Sequence, residues 1–339
     1  FSNKRILGTV PVEDDGSAYL EAPADTWVYF QLLDEKGMMV QSMRSGVIVQ
    51  RGEQLGCVGC HDNRLAAPRT SEANLPKALR RAPSALEGWH GPAREFSFMA
   101  EVQPVFTNRC AQCHDFDKPA GRKLILAPDK VETFNAAYVE LWRKKLTGAL
   151  GAGPAAIQQP YSWGSHASPL VALLEKSHKN VSLTPEEFER VVTWIDLNAP
   201  YYPTYASAYP DNLAGRNPLS DAQVKRLGHL TKLDFFGLAS CTGNQGPQIS
   251  FDRPEMSPCL TRIDSPGSDR YNEALEIIRA GQAMLRERPD ADMPGFVPCE
   301  TDRARETKYE LRACAEADTR TALLEGRRVY DPGIPAPDK

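Results

Sequence analysis

Two copies of one pentapeptide constrain this chain more than any other feature. Cys57-Val58-Gly59-Cys60-His61 and Cys110-Ala111-Gln112-Cys113-His114 both spell Cys-x-x-Cys-His, 53 residues apart, in a chain of 339 residues with six histidines. The pattern is the attachment signal of c-type haem. Two thiols separated by two residues reach the two vinyl groups on one edge of a porphyrin and form thioethers. The histidine that follows swings beneath the ring and offers its imidazole to the iron. Two other chemistries use Cys-x-x-Cys, a four-thiolate zinc site and a dithiol redox pair. Neither accounts for a histidine directly after both copies. The expected cofactors are two covalently bound haem c groups, one held by Cys57, Cys60 and His61, the other by Cys110, Cys113 and His114.

Each iron then has a sixth position to fill. A protein ligand there makes an electron carrier, and an open position lets a small molecule bind and react. The remaining histidines are His90, His166, His178 and His229. His166 and His178 flank a Leu-rich segment C-terminal to the second motif, and both are candidate iron ligands. His229, in "RLGHLTKL", reads as structural in an amphipathic helix. Met99 reads as core beside Phe96 and Phe98.

The net charge of −4 leaves no electrostatic footprint for nucleic acid, and no run of about 20 apolar residues offers a transmembrane segment. The 27 prolines and 24 glycines predict long ordered loops between short elements. Four cysteines lie outside the motifs, all in the last hundred residues. The simplest pairing is Cys241–Cys259 and Cys299–Cys314. Haem attachment and disulfides both belong outside the cytoplasmic membrane, so a periplasmic or extracellular protein is expected. Phe1 begins directly in strand-like sequence without a signal peptide, as in a processed protein or a piece of a longer one.

The expected fold class is mixed, mainly α and irregular. Residues 1–50 read as a β-rich segment, a small sandwich or the end of a larger β domain, with Tyr19, Leu20, Val28, Phe30 and Leu32 facing inward. Residues 51–95 form the first haem-binding segment, including a Pro- and Arg-rich loop. Residues 96–203 form a cytochrome c-like helical domain with the second haem. A helix enters the second motif, another runs over about Tyr138–Lys145, and a third over about Ser168–Lys176. A fourth has Thr184 as N-cap, Pro185 in its first turn and Glu187 completing a capping box. Residues 204–339 form a loop-rich, disulfide-stapled extension with helices over about Tyr271–Arg286 and Asp302–Glu325.

"GTVPVEDDGSAYLEAPADTWVYFQLLDEKGMMVQSM" before "CVGCHDNR", then "EVQPVFTNRCAQCHD", "VTWIDLNAPYY" and "MPGFVPCETDRARE", resemble the C-terminal region of large secreted bacterial proteins related to the hydrazine synthase α subunit. The resemblance implies a β-propeller followed by a di-haem domain. It further implies a catalytic first haem whose iron is taken by a tyrosine four residues after the motif histidine, that histidine turning to zinc. The second haem would be bis-histidine and pass electrons. In this chain the tyrosine position is Leu65. That departure argues against hydrazine chemistry and leaves His61 to ligate iron, while His114 matches the electron-transfer haem, with His178 or His166 as partner. The expected function is a di-haem c-type cytochrome, the electron-transfer module of a larger exported redox protein. Its partners would be a redox protein or other subunits of a complex. The alternative is a haem oxidoreductase acting on small nitrogen compounds or peroxide at an open first haem.

Overall fold

A computed structural model describes residues 4–57, 75–150, 156, 158–210, 216–235, 245–263 and 265–328. Helices dominate it. α1 (Phe98–Glu101) and α2 (Gln103–Arg109) lead into the second motif, and Pro104 sits in the first turn of α2, where its missing N–H costs no helical bond. α3 (Ala136–Arg143), α4 (Pro169–Glu175) and α5 (Pro185–Asp196) follow, then α6 (Asp221–Thr231), α7 (Asp269–Glu287) and α8 (Glu300–Leu324). Polar side chains define most of the starts. Asn135, Ser168, Thr184, Ser220 and Ser268 each accept a hydrogen bond from the backbone N–H three residues on. At α5 the capping box is complete, since Glu187 also accepts from the Thr184 N–H.

The first core gathers Val102, Val105 and Phe106 before the motif, Leu141 of α3, Leu170 of α4, and Val191, Val192 and Ile195 of α5. Phe98 lies at its centre. Its ring centre is 4.9 Å from Trp194, 5.3 Å from Tyr138 and 5.6 Å from Tyr201. A second core brings Leu227 and Leu230 of α6 together with Ile249, Phe251 and Ile278 of α7. Glycine is required at Gly281, where a Cβ would stand 2.3 Å from the Phe251 ring.

The β content expected over residues 1–50 reduces to one hairpin and scattered bridges. β1 (Gln31–Leu33) pairs antiparallel with β2 (Met39–Ser42). Arg5, Thr9 and Leu20 bridge to Glu95, Glu87 and Ser84, so the N-terminal stretch is held by residues 84–95. Val28 is buried and Tyr19 and Leu20 are half-buried as expected, but Phe30 and Leu32 are 40% and 46% exposed. Between them, Gln31 turns inward and donates from Nε2 to the Asp196 carbonyl at the end of α5 (2.7 Å). A helix end needs a donor for its orphan carbonyls, and that demand puts the polar residue inside.

The Cys299–Cys314 pairing is corrected: both thiols are free, Cys299 buried and Cys314 exposed. Cys299 is the N-cap of α8 and Cys314 lies within that same helix. Fifteen residues at 1.5 Å rise put them about 22 Å apart, whereas a disulfide needs Cα atoms within about 7 Å. Cys241 lies outside the described residues, but its expected partner Cys259 is a free thiol buried in the second core, so the Cys241–Cys259 pairing is corrected as well. Among the described residues, no helix is long and apolar enough to cross a membrane.

Candidate functional site

α2 runs straight into the second motif. The Cys110 N–H bonds the Phe106 carbonyl at 2.9 Å, and the His114 N–H bonds the Cys110 carbonyl at 3.0 Å. The motif is therefore wound as a helical turn, and positions i, i+3 and i+4 bring Cys110, Cys113 and His114 to one side. Cys110 is half-buried against the first core and Cys113 is exposed. Burial, with lesser contributions from Cys113 and Glu187, pushes the Cys110 thiol up to about 11.

The loop after the motif fixes the histidine. His114 Nδ1 lies 2.9 Å from the Leu124 carbonyl oxygen. A carbonyl can only accept, so Nδ1 carries the proton and Nε2 keeps its lone pair for a metal. The loop doubles back tightly: a Cβ on Gly121 would stand 1.7 Å from the Asp115 carbonyl oxygen. Arg253, from the C-terminal extension, then clamps the loop at two points. Its Nη2 reaches Asp115 Oδ1 and Asp129 Oδ1, each at 2.6 Å, while Nη1 and Nε reach the second oxygens at 3.0 and 2.8 Å.

Of the candidate partners, His178 is the one brought to His114. The two ring centres are 6.3 Å apart with an interplanar angle of 43°. Two imidazoles that bind one ion from opposite sides through bonds of about 2 Å bring their ring centres to about 6 Å, so this spacing fits a shared iron. His178 stands in a one-turn 3-10 segment, His178–Asn180, just after α4. Ser177, Lys179 and Asn180 have φ of 51°, 52° and 64°. Non-glycine residues hold such a conformation only where the surroundings require it, and strain of this kind gathers at binding sites.

His166 is placed elsewhere. Its Nε2 is 3.0 Å from Asp34 Oδ2 without a hydrogen bond between them, and its ring meets Tyr161 edge-on at 4.9 Å. His90 Nε2 is 3.0 Å from Glu189 Oε2. Met99 packs against the first core as expected, and His229 lies on α6. At the first motif Cys57 is exposed, while Cys60, His61 and Leu65 lie outside the described residues. Among the described residues, no cluster of three or more His, Cys, Asp and Glu side chains forms a metal site of its own.

Sequence reasoning missed Arg253, Leu124 and Gly121. Arg253 is separated from Asp115 by 138 positions and carries no local signal. The Gly121 turn, seven residues past His114, was the one clue in reach.

Residues 1–62, ending just past the first motif, match the model of the hydrazine synthase alpha subunit middle domain. The hydrazine synthase subunit alpha of Kuenenia stuttgartiensis is 23% identical over 59% of this chain and 33% of that protein. The chain therefore spans about a third of that relative's length. No solved structure matches the chain. Its similarity to the hydrazine synthase α subunit rests on the first 62 residues and on this partial match.

Proposed function

We propose that this chain is a di-haem c-type cytochrome portion of an exported redox protein, with electron transfer as its activity. The observation that carries the reading is the 6.3 Å approach of His178 to His114, within a motif whose two thiols and imidazole share one side of a helical turn. Cys110 and Cys113 would hold the second haem, and His114 and His178 would ligate its iron. Cys57, Cys60 and His61 would hold the first. When bound, each haem supplies a one-electron couple. The chain's own part is to fix the ligands. The Leu124 carbonyl orients His114 and holds the proton on Nδ1, and Arg253 restrains the segment that carries that carbonyl. With His114 and His178 both given to the iron, this haem would offer no site to a small molecule, and its protein ligands would be the same in both oxidation states. The partners would be a redox protein or other subunits of a complex, in a periplasmic or extracellular setting. A cytochrome c-like domain around the second motif follows from the same reading.

One observation favours a second reading, an oxidoreductase on small nitrogen compounds at the first haem. The family match covers the first motif, and the relative's printed name is that of a synthase of hydrazine. Spectroscopy separates the two. Protein produced with the haem-attachment machinery should show the mass of two added haems and two low-spin spectra indifferent to carbon monoxide. His178→Ala should turn one haem high-spin and open to carbon monoxide, while His166→Ala should leave both spectra unchanged. A high-spin, carbon monoxide-binding component in the unmodified protein would favour the second reading. Bare polypeptide, or zinc in place of iron, would overturn both.

A further inference from the structure

The unpaired side-chain charge beside the His114–His178 pair is mostly of one sign. On the motif side, Arg122 and Lys123 are exposed and immediately precede Leu124, the residue whose carbonyl receives His114. On the opposite side, Lys176 and Lys179 are exposed and bracket His178. Among the described residues none of these four has an ion-pair partner. The carboxylates of these two segments and of the start of α5 each face a basic side chain, though Arg253 is shared between Asp115 and Asp129 and so leaves one negative charge over. Asp115 is held by Arg253, Asp117 by Lys118, Glu175 by Lys36 and Glu187 by Arg109. Glu186 pairs with Arg190 and Glu189 faces His90. Set against the surplus acid at Arg253 and against Glu189, the four unpaired cations still leave this face with a cationic excess, on a chain whose net charge is −4. Cys113, the thiol directly before His114, is exposed on the same motif.

We infer that this face is the docking surface for an electron-transfer partner whose own contact surface is acidic. The inference rests on the functional reading above. Fixed charges of one sign raise the local concentration of an oppositely charged partner and speed its encounter, and salt screens the effect. A rim that flanks both axial ligands would steer an acidic partner to the haem edge. The exposed thioether side would then bring the two redox centres close without any change of ligation.

Small redox ions report the sign of this field on the intact di-haem protein. In each reaction one electron passes between haem iron and the reagent and no bond forms or breaks. The reduced protein gives its electron to hexacyanoferrate(III), yielding ferric haem and hexacyanoferrate(II), or to hexaammineruthenium(III), yielding the ruthenium(II) ion. If net charge governed, the cationic reagent would gain at low salt. The rim predicts the reverse: lowering the ionic strength should speed hexacyanoferrate oxidation on the order of tenfold and slow the ruthenium reaction. The double variant Lys123→Glu, Lys179→Glu should abolish or invert that dependence with the haem spectrum unchanged. A control with the same charge change at exposed positions of α6 and α8, Lys225→Glu with Lys308→Glu, should retain it. A haem-loaded protein whose hexacyanoferrate rate does not rise at low salt, or whose two double variants behave alike, overturns the docking surface and leaves the cytochrome reading intact. A preparation without haem absorbance overturns the cytochrome reading itself, and the docking surface with it.

Discussion

Glu132 is 2% exposed, and its Oε1 has no hydrogen-bond partner among the described residues. Burial raises its carboxyl from 4.5 to about 7. Between those two values the folded chain holds a proton that the unfolded chain has released, so stability is fully present below pH 4.5 and falls as pH rises toward 7. Each unit of difference is worth about 1.4 kcal/mol. Asp196 acts in the same direction, its carboxyl raised to about 7 by burial even though the Met39 N–H and the Ser165 N–H and hydroxyl all donate to it. Glu132→Gln removes the charge while keeping the volume. It should raise stability by about 3 kcal/mol at pH 8 and change it little at pH 4. Urea titrations at the two pH values check this, and an equal effect at both would exclude the buried carboxylate as the source. The substitution removes only Glu132's share of the slope, because Asp196 supplies its own.

Among the elements, the loop from Asp115 to Asp129 depends most on a distant residue. Asp129 is 3% exposed and takes charge-assisted bonds from Arg253 and a hydrogen bond from Ser250 Oγ at 2.5 Å. Removing one partner of a buried pair leaves the other charge uncompensated. Arg253→Gln should therefore cost about 3 kcal/mol, near the low end for such pairs because the arginine is itself a third exposed. Arg253→Lys keeps the charge but loses the two-pronged fork and should recover less than half of that. Thermal unfolding monitored with far-UV circular dichroism gives both values, and a neutral Arg253→Gln would show that the clamp is ornamental. This loop also marks where sequence reading stops. The helix entering the second motif, the helix start near Ser168 and the Thr184–Glu187 capping box were legible because each is written in local sequence. The alternation over Phe30 and Leu32 misled, because β1 belongs to a two-stranded hairpin whose inward position is claimed by Gln31 for the Asp196 carbonyl. Cys299 and Cys314 looked like a staple by count and spacing alone, although the helix expected over about Asp302–Glu325 already contained Cys314 and holds the two thiols apart. Arg253 and Asp115 meet by tertiary folding alone, and nothing near either residue announces it.

At the scale of the whole molecule, the two cores are joined through charge buried between them. Lys130, 4% exposed, lies just before α3, and its Nζ reaches Asp290 Oδ2 at 2.9 Å, Asp292 Oδ1 at 3.0 Å and the Tyr202 hydroxyl at 2.8 Å. Burial alone would drive the proton off this amine, but Tyr202, Asp292 and Asp290 outweigh it and hold the lysine charged. Tyr201 donates to Asp292 Oδ2 at 2.7 Å and Tyr202 to the Thr133 carbonyl, so the network links the segment before α3, the stretch after α5 and the turn after α7. Phe251 N–H bonds the Lys130 carbonyl at 2.9 Å, so the same residue also meets the second core through its backbone. This junction ties the C-terminal extension, and with it Arg253, to the segment that carries His114. Lys130→Met would strand two carboxylates in the interior and should cost about 3–5 kcal/mol. The triple change Lys130→Met, Asp290→Asn, Asp292→Asn removes every charge and should restore most of that loss, because the penalty lies in the unpaired acids. Chemical denaturation of the single and triple variants decides the matter. If the triple variant is as unstable as the single one, it is the volume and hydrogen bonds of the network that join the cores, and its charge plays no part.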